Sequence, residues 1–450
     1  MNIISFTNPD VVVHTASKIN IEECEEDKEA AWEINVTATK NIVRACKNNG
    51  AKLIYISSDY IFNGDDGPYY EDSNPDPINY YGKTKLEAER IIEEELFNYA
   101  IIRPTVLDGY NSLNDSSFFN YTYKALQKNK KISLDDNLLK YPVFIDNVVK
   151  LIKYLIIDDL KGIYHIGSKE STTRFKWAGK IGEYFNLNIS NLSIGKSYSD
   201  SVKRPMNVNL LTHNKYIYKN FYTQKIKQSL EIIEMQKSCS FNYFYSFDPE
   251  TNYDNDNIAK LRISAGKKLA KNFPCKADIV VAIPESGIFP AVGYSDQSGI
   301  PFVPAIIRND NVERTLFETN LENRVKMINS KLAIINELVF GKNIVLIDEA
   351  ILSGTTIINI ISKLKSAGVK SIHIRIPFPV VVNHCKADCM PTTGMFLAEK
   401  LTKNNKFETD ITNNFVNYLK VSSVNFLSKK LLFDSFQSSS AKCIRCLKEE

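Results

Sequence analysis

A tyrosine and a lysine four positions apart, Tyr81 and Lys85, form the first pair of residues that could do chemistry. Residues at this spacing lie on one face of a helix. A lysine cation beside a tyrosine favours the phenolate and lowers its pKa, so Tyr81 could exchange a proton near neutral pH. Ser58 follows the apolar run KLIYIS and could add a hydroxyl. The pattern predicts a proton-transfer site, although a surface pair on a helix has the same spacing.

A second candidate site lies in residues 344–356, IVLIDEAILSGTT. An apolar strand leads into the acids Asp348 and Glu349, and a short loop then leads into a helix. Backbone N–H groups and hydroxyls at a helix N-terminus bind phosphate, and the acids could face ribose hydroxyls or Mg²⁺. The motif predicts a site for a phosphorylated sugar. Many strand–loop–helix crossovers without such a function share the pattern.

The spacing of Cys443 and Cys446, C-x-x-C, is a third candidate. It is compatible with half of a zinc site, a redox pair or chance. The chain has eight cysteines in all. In an intracellular protein we expect thiols or metal ligands rather than a disulfide framework.

The elements that position these residues alternate between strands and helices. In the first half we predict strands at 10–16, 52–57 and 100–103 and helices at 26–47 and 82–96. The first of these helices should bury a stripe of apolar residues at helical spacing: Ala30, Ile34, Ala38, Ile42 and Ala45. This alternation predicts an α/β fold with a doubly wound parallel sheet.

The second half repeats the alternation. We predict strands at 278–283, 302–307, 343–347 and 371–376, with a helix at 356–367 between the last two strands. The polar stretch around 225–238 separates the halves. We therefore predict two α/β domains, residues 1–225 and 232–450.

Composition excludes several classes of protein. Of the 450 residues, 56 are Lys or Arg and 52 are Asp or Glu, for a net charge of +4, so nothing favours nucleic acid as a main partner. No apolar run approaches the roughly 18 residues of a membrane span. The start MNIISFTNPD lacks the features of a signal peptide. We expect a cytoplasmic protein without a membrane partner.

Several separated motifs of the first half together resemble the extended short-chain dehydrogenase/reductase family, and most of all dTDP-4-dehydrorhamnose reductase and its relatives. The motifs are HTAS at 14–17, EINVTATKN around Asn35, residues 55–89 and RPMNVNL at 204–210. The resemblance covers roughly residues 1–215. It implies a Rossmann-type domain that reduces a nucleotide sugar with NADPH. It also implies that Ser58, Tyr81 and Lys85 are catalytic, with Asn35 as a structural or proton-relay residue.

One departure concerns the glycine-rich turn that holds the cofactor pyrophosphate in that family. Gly50 is the first glycine of this chain, and no G-x-x-G-x-x-G motif precedes Asp10. We expect an incomplete Rossmann-type domain without a cradle for NADPH and without independent reductase activity. The explanations that remain open are a misplaced or split gene start, a second polypeptide that supplies the missing half, and a relic used for packing or for binding a nucleotide sugar.

The second half resembles the type I phosphoribosyltransferase domain of glutamine phosphoribosylpyrophosphate amidotransferase over about residues 235–450. The motifs that carry the resemblance are CSFNYFYSFDPE, PESG, AVGYSDQSGIPF, IIRNDNVERTLFETNLENR, IVLIDEAILSGTT, HIRIPFP and CIRC. It implies binding of phosphoribosyl pyrophosphate and Mg²⁺ and displacement of pyrophosphate by an amine. The implied binding residues are Glu285, Ser286, Gly287, Asp348, Glu349, Ser353, Gly354, Thr355 and Thr356. Of these, Ser286, Asp348 and Glu349 would hold Mg²⁺, and Arg308 and Arg314 would act from a closing loop.

This second resemblance has departures too. The family's Arg in the phosphate loop is Ser353, and Asp310, Asn311 and Glu313 replace Arg, Tyr and Gly in the closing loop. A lost cation and an added anion should weaken binding of a polyanion. The family's glutaminase domain, with its N-terminal cysteine nucleophile, is also missing. Free ammonia, another amine or a partner glutaminase would then supply the nitrogen.

The same resemblance implies a metal centre. In one subgroup of the family, four cysteines at the positions of Cys239, Cys385, Cys443 and Cys446 hold a [4Fe–4S] cluster. Four thiolates also suit Zn²⁺, which remains the alternative. Cys389 could replace Cys385 in the set.

Three functions remain open. The first is a phosphoribosyltransferase fused to a reductase-like domain that binds a nucleotide sugar or a partner protein. The second is a nucleotide-sugar reductase completed by another polypeptide. The third is a non-catalytic sensor of phosphoribosyl pyrophosphate or nucleotides. An exposed sheet edge would favour a homo-oligomer.

Overall fold

The chain folds into two compact units, Met1–Lys237 and Ser238–Glu450. In this computed structural model the described residues are 3–110, 117–195, 202–223, 225–253, 255–308, 332–385, 387, 395–403, 411–437 and 442–447. No helix in these ranges is long and apolar enough to cross a membrane.

Unit 1 alternates strands and helices throughout its length. Its helices are α1 Ile3–Thr7, α2 Ile21–Glu26, α3 Lys28–Trp32, α4 Ala38–Asn49, α5 Tyr80–Glu95, α6 Phe118–Gln127, α7 Ile145–Ile157, α8 Arg174–Tyr184, α9 Lys215–Asn220 and α10 Ile226–Ser238. Its strands are β1 Val11–His14, β2 Lys52–Ile56, β3 Tyr99–Pro104, β4 Leu107–Asp108, β5 Ile132–Leu134, β6 Val143–Phe144, β7 Gly162–Ile166 and β8 Leu192–Ile194.

The main sheet of unit 1 is parallel, with strand order β1-β2-β3-β7. Successive residues of a strand point to opposite faces, and both faces of this sheet are buried. Leu53 packs with α4 and α5 in one apolar cluster, whereas Ile54 packs with α7 in another. Helices on both faces of a parallel sheet make the doubly wound fold, which confirms the predicted fold class.

The first predicted helix differs from the observed one. It is broken at Asp27, and a π-helical turn, Glu33–Thr37, precedes α4. A π turn contains one extra residue, so it shifts the buried face. Ile34 of the predicted stripe is 43% exposed, whereas Asn35 and Val36 are buried. The predicted stripe was therefore wrong before α4.

Unit 2 alternates strands and helices as well. Its helices are α11 Ser240–Phe244, α12 Ile258–Asn272, α13 Ile288–Ser298, α14 Asn336–Val339, α15 Thr355–Ser366, α16 Leu397–Lys403, α17 Ile411–Leu419 and α18 Lys429–Phe433. Its strands are β9 Asn252–Tyr253, β10 Asp256–Asn257, β11 Ile279–Ala282, β12 Ile306–Arg308, β13 Leu332–Ile334, β14 Asn343–Ile347, β15 Ser371–Ile376 and β16 Ser423–Phe426.

The sheet of unit 2 is also parallel, with strand order β11-β14-β15-β16. The predicted strand 302–307 was partly wrong. Phe302 makes only an isolated bridge with Val280, and β12 begins at Ile306 and pairs antiparallel with β13. Pro301 and Pro304 explain the difference, because proline has no N–H to donate to a sheet.

Helices α12 and α13 approach so closely that glycine is required between them. A Cβ at Gly293 would lie 2.0 Å from the carbonyl oxygen of Ile263, which cannot move without moving the helix. We expect Gly293→Ala to destabilise the protein by about 3 kcal/mol, measured by urea unfolding. The control Gly179→Ala, in α8 with open space around it, should be neutral or stabilising by about 0.5–1 kcal/mol. Equal stabilities for the two variants would contradict this account.

Candidate functional site

The acid pair of unit 2 lies at the carboxyl end of a central strand. β14 is fully buried until Ile347, and Asp348 follows it directly. The backbone N–H of Glu349 donates to Asp348 Oδ1 at 3.0 Å, which fixes the two carboxylates relative to each other. Ser286, after β11, donates from its Oγ to Glu349 Oε2 at 2.6 Å. Because β11 and β14 are parallel neighbours, their following loops meet at this edge of the sheet.

A cavity of about 810 Å³ opens at this edge. It brings together most of the residues predicted for unit 2: Glu285, Ser286, Arg308, Asp348, Glu349, Ser353, Gly354, Thr355 and Thr356. Gly287 lies just behind the wall, where a Cβ would come within 2.8 Å of the Ile347 carbonyl oxygen. The Pro284–Glu285 peptide in this loop is cis. Arg314 lies outside the described residues.

The loop between the acid pair and α15 is shaped like an anion site. Gly354 has a φ of 81°, and a Cβ there would lie 2.6 Å from the Leu397 side chain. Ser353 Oγ and Thr355 Oγ1 lie 3.1 Å apart at the start of α15. Hydroxyls and backbone N–H groups at the N-terminus of a twelve-residue helix are suited to a phosphate group.

The carboxylates interact electrostatically. Burial, and then the neighbouring Glu349, raise the pKa of Asp348 well above its usual value. A proton on Asp348 relieves the repulsion between its buried carboxyl and the half-buried carboxylate of Glu349. A hard divalent cation with oxygen ligands can replace that proton, and two carboxylates with a serine hydroxyl form a suitable donor set. The residues therefore fit Mg²⁺.

Unit 1 brings its three predicted catalytic residues into one neighbourhood. Ser58 caps a short 3₁₀ helix: its Oγ accepts the Tyr60 N–H at 3.2 Å and donates to Asp59 Oδ1 at 3.2 Å. Tyr81 and Lys85 lie on α5, and the Lys85 Nζ donates to the Ile56 carbonyl oxygen at 2.7 Å. The Lys85 ammonium also lies 4.2 Å from the centre of the Tyr55 ring.

The expected direction of the tyrosine pKa was wrong. Burial raises the pKa of Tyr81, and the Ser58 hydroxyl only partly opposes this effect. Burial also lowers the pKa of Lys85 to about 7. A lysine with this pKa is only partly protonated at neutral pH and stabilises a phenolate weakly, so the pair does not activate Tyr81 in the way that its spacing suggested.

Tyr81 is enclosed by segments from both ends of unit 1. It packs in one apolar cluster with Ile21, Cys24 and Val202. Next to Val202, Arg204 donates to the Glu22 carboxylate. The site around Tyr81 is therefore closed in this structure.

Asn35 makes four hydrogen bonds to neighbouring segments of unit 1. Its Oδ1 accepts from Ser17 Oγ at 2.9 Å and from the Lys18 N–H at 2.7 Å. Its Nδ2 donates to Thr84 Oγ1 and to the Lys18 carbonyl oxygen, each at 3.0 Å. These bonds tie the loop after β1 to α5, and of the two predicted roles they support the structural one.

The turn after β1 has no glycine that would let a dinucleotide pyrophosphate approach the backbone. Between β1 and α2 the chain reads TASKIN, residues 15–20. A pyrophosphate cradle needs glycines so that the backbone can approach the ligand closely. This turn therefore does not fit a pyrophosphate.

The four predicted metal ligands of unit 2 are neighbours. Cys239 and Cys443 pair as an isolated bridge of extended backbone. Burial raises the pKa of Cys446 to about 12, and the nearby Cys239, Cys385 and Cys443 add to the shift. None of the seven described cysteines forms a disulfide.

The four thiols do not have the geometry of a complete metal site in this structure. Across the described ranges, no group of three or more His, Cys, Asp or Glu side chains has the geometry of a metal site. Four neighbouring thiols, two of them buried and two half-buried, are nevertheless the donor set of an iron–sulfur cluster or of zinc, so their chemistry fits either group.

Comparison with known families decides the classification of the chain. The RmlD substrate binding domain family matches residues 1–237, more than half of the chain. The chain belongs to this family. Its RmlD-like unit is fused to a second domain, because residues 251–385 match the phosphoribosyl transferase domain family. The predicted resemblances to a dTDP-rhamnose reductase and to amidophosphoribosyltransferase are thereby confirmed.

Individual relatives match one unit each. Methionine adenosyltransferase 2 subunit beta of Bos taurus is 34% identical over 216 residues, which are 46% of this chain and 65% of that protein. The amidophosphoribosyltransferase of Methanocaldococcus jannaschii is 32% identical over 210 residues, 47% of this chain and 43% of that protein. The chain thus spans less than two thirds of either relative.

Among solved structures, dTDP-4-dehydrorhamnose reductase from Bacillus anthracis in complex with NADP is 26% identical to this chain. The match covers 52% of this chain and 83% of that structure, with a TM-score of 0.48.

Tyr245 and Lys363 line the cavity together with the acid pair but were not predicted as site residues. Tyr245 follows α11, and Lys363 lies on α15. Lys363 could have been found from spacing, since Thr355, Asn359 and Lys363 recur every four residues and share a helix face. Nothing in the local sequence around Tyr245 indicated its place.

Proposed function

We propose that the phosphoribosyltransferase unit uses phosphoribosyl pyrophosphate and Mg²⁺ and displaces pyrophosphate with ammonia or another amine. The observation that carries this proposal is the convergence of Ser286, the acid pair and the Ser353–Thr356 loop in one cavity. Each group suits a different part of the substrate: the loop the 5-phosphate, the acids the ribose hydroxyls, and the Ser286 loop the pyrophosphate. The amidophosphoribosyltransferase relatives support the same reaction class.

In this reaction an amine nitrogen forms a bond to ribose C1 as the bond from C1 to the pyrophosphate oxygen breaks, and pyrophosphate leaves with both electrons. Catalysis needs positioning and charge neutralisation rather than a nucleophile from the protein. Asp348 and Glu349 would orient the ribose and hold Mg²⁺, which when bound neutralises charge on the pyrophosphate. Arg308, at the cavity wall, would stabilise the departing anion.

The test is titration calorimetry of the full chain with phosphoribosyl pyrophosphate and Mg²⁺, followed by an assay of pyrophosphate release with and without ammonia. We expect binding and ammonia-dependent release. Binding without release under any amine would favour the non-catalytic sensor. Absence of binding would exclude both the transferase and that sensor. Release that requires added glutaminase and glutamine would identify a partner enzyme as the nitrogen source.

For the RmlD-like unit we propose a binding role rather than reduction, for a nucleotide sugar or a partner protein. The observation that favours this role is the enclosure of Tyr81 together with the burial of Lys85. One relative, methionine adenosyltransferase 2 subunit beta, is by its name likewise a component of a larger enzyme.

This second proposal predicts that the isolated chain neither binds NADPH nor oxidises it with dTDP-4-dehydrorhamnose. Fluorescence titration and an NADPH absorbance assay measure the two properties. Oxidation that is lost in Tyr81→Phe would show that the unit is a reductase. Oxidation that appears only with a second polypeptide would support a reductase completed in trans.

We propose further that Cys239, Cys385, Cys443 and Cys446 hold a [4Fe–4S] cluster, with Zn²⁺ as the alternative. Burial and mutual proximity of the thiols support the proposal. The backbone around them is already fixed, because the Cys443 N–H donates to Ser238 and its carbonyl oxygen accepts from Ser240 Oγ at 2.8 Å.

A further inference from the structure

One cation of the cavity wall belongs to no part of the phosphoribosyltransferase motif. Of the described residues that line the cavity, only Arg308 and Lys363 are cationic. Lys363 lies on α15, eight positions beyond Thr355 at its start. It therefore places a positive charge about two turns along the helix that begins at the phosphate loop.

The side chain of Lys363 is held in position. Its Nζ donates to the Leu332 carbonyl oxygen at 2.8 Å. Leu332 begins β13 and pairs directly with Arg308 of β12. Leu332 thus contacts both cations of the wall: Arg308 is its partner in the strand pair, and Lys363 donates to its carbonyl oxygen. The bond from Lys363 links β13 to α15.

The charge of the cavity explains what Lys363 could bind. The acids Glu285, Asp348 and Glu349 line the wall, and the Ser353–Thr356 loop offers neutral hydroxyls and no cationic side chain. A ligand with several negative charges is repelled by such a wall unless cations offset the acids. Lys363 supplies a cation on α15, the helix that begins at this loop.

We propose that Lys363 is a phosphate-binding residue of this cavity, whose positive charge offsets the acids of the wall. The ligand chemistry is a phosphoryl group of a sugar phosphate or a pyrophosphate. This inference rests on the proposed transferase function, which it deepens by assigning a contact to the substrate.

The test measures dissociation constants of the full chain for phosphoribosyl pyrophosphate with Mg²⁺ and for inorganic pyrophosphate, by calorimetry at several salt concentrations. Lys363→Gln keeps a donor for Leu332 but loses the charge, and we expect about tenfold weaker binding. Its affinity should also depend less on salt than that of the wild type. Lys363→Arg, which keeps the charge, should stay within about threefold of the wild type.

The matched control is Lys365→Gln on the same helix. Lys365 Nζ donates to the Lys420 carbonyl oxygen at 2.7 Å, outside the cavity. We expect this variant to bind like the wild type. A purely structural role of Lys363 would weaken binding without changing the salt dependence, and that result would overturn the proposal.

A measurement on the wild type covers the case in which Lys363→Gln does not fold. Bound phosphoribosyl pyrophosphate should protect Lys363, but not Lys365, from amine acylation read by mass spectrometry. Equal labelling with and without a ligand that binds would refute the contact. A wild type that binds no ligand at all would instead refute the proposed function.

Discussion

Asp348→Asn should abolish Mg²⁺-dependent binding of phosphoribosyl pyrophosphate without harming the fold. Asp348 is 5% exposed at the end of β14, and its Oδ1 accepts the backbone N–H of Glu349. Asparagine keeps an acceptor of the same shape but cannot carry charge. Loss of one anionic ligand of a divalent cation removes about 3 kcal/mol or more of binding, roughly a hundredfold. Titration calorimetry measures this effect.

The same substitution should stabilise the unliganded protein at neutral pH. The pKa of Asp348 is raised in the folded state, so the folded chain binds its proton more tightly than the unfolded chain does. Stability therefore falls as the pH rises past the ordinary pKa of an aspartate, and Asn does not ionise and does not incur this loss. Urea unfolding of both proteins at neutral pH should show a higher midpoint for Asp348→Asn.

The wild type should also show a pH dependence of Mg²⁺ affinity that the variant lacks. Mg²⁺ must displace the proton from Asp348, so its affinity rises with pH through the raised pKa and then levels off. Isothermal titrations in buffers of different ionisation enthalpy would detect the released proton.

A surface aspartate on the same sheet provides the control. Asp278 accepts from the backbone N–H of Asn343 at 2.7 Å, and this bond lowers the pKa of its carboxyl. Asp278→Asn should lower stability slightly and leave binding unchanged, the opposite of the pattern for Asp348. Equal ligand affinity in wild type and Asp348→Asn would refute the role of the acid pair.

The strands that carry the acid pair were predictable because they are buried on both faces. The predicted bounds of β14 and β15, 343–347 and 371–376, match the structure. β14 is apolar after Asn343, as expected of a strand buried on both faces, whereas β15 alternates polar and apolar residues, which is the period of a strand. Ser286, Asp348 and the Ser353–Thr356 loop then meet because parallel strands end at one edge. These relations follow from local sequence and sheet geometry alone.

Other features depend on contacts that local sequence does not encode. The π turn before α4 places Asn35 where it bonds Ser17, Lys18 and Thr84, an arrangement set by tertiary contacts. The pKa of Tyr81 depends on burial by Val202, a residue 121 positions away in the chain. The spacing correctly predicted that Tyr81 and Lys85 lie on one helix. It could not predict the burial that raises the pKa of Tyr81 instead of lowering it.

The proposed metal centre predicts that Cys446→Ser loses the metal and destabilises the phosphoribosyltransferase unit. Cys446 is 6% exposed, and its carbonyl oxygen accepts from the N–H groups of Val382 at 2.9 Å and Asn383 at 3.1 Å. Serine retains these backbone bonds and changes only the ligand atom. Structural metal sites contribute about 10 kcal/mol or more in small domains, so we expect a loss of at least about 3 kcal/mol in the free energy of unfolding.

Metal analysis of anaerobically purified protein distinguishes the two candidate groups, because a [4Fe–4S] cluster brings iron and visible absorbance whereas zinc brings neither. Cys275→Ser is the control, since the Cys275 thiol lies 3.6 Å from the Tyr294 hydroxyl and is not among the four converging cysteines. It should retain the metal and near-native stability. Wild-type protein with neither iron nor zinc, and with the same unfolding midpoint as Cys446→Ser, would show that the four thiols converge only as part of a packed core.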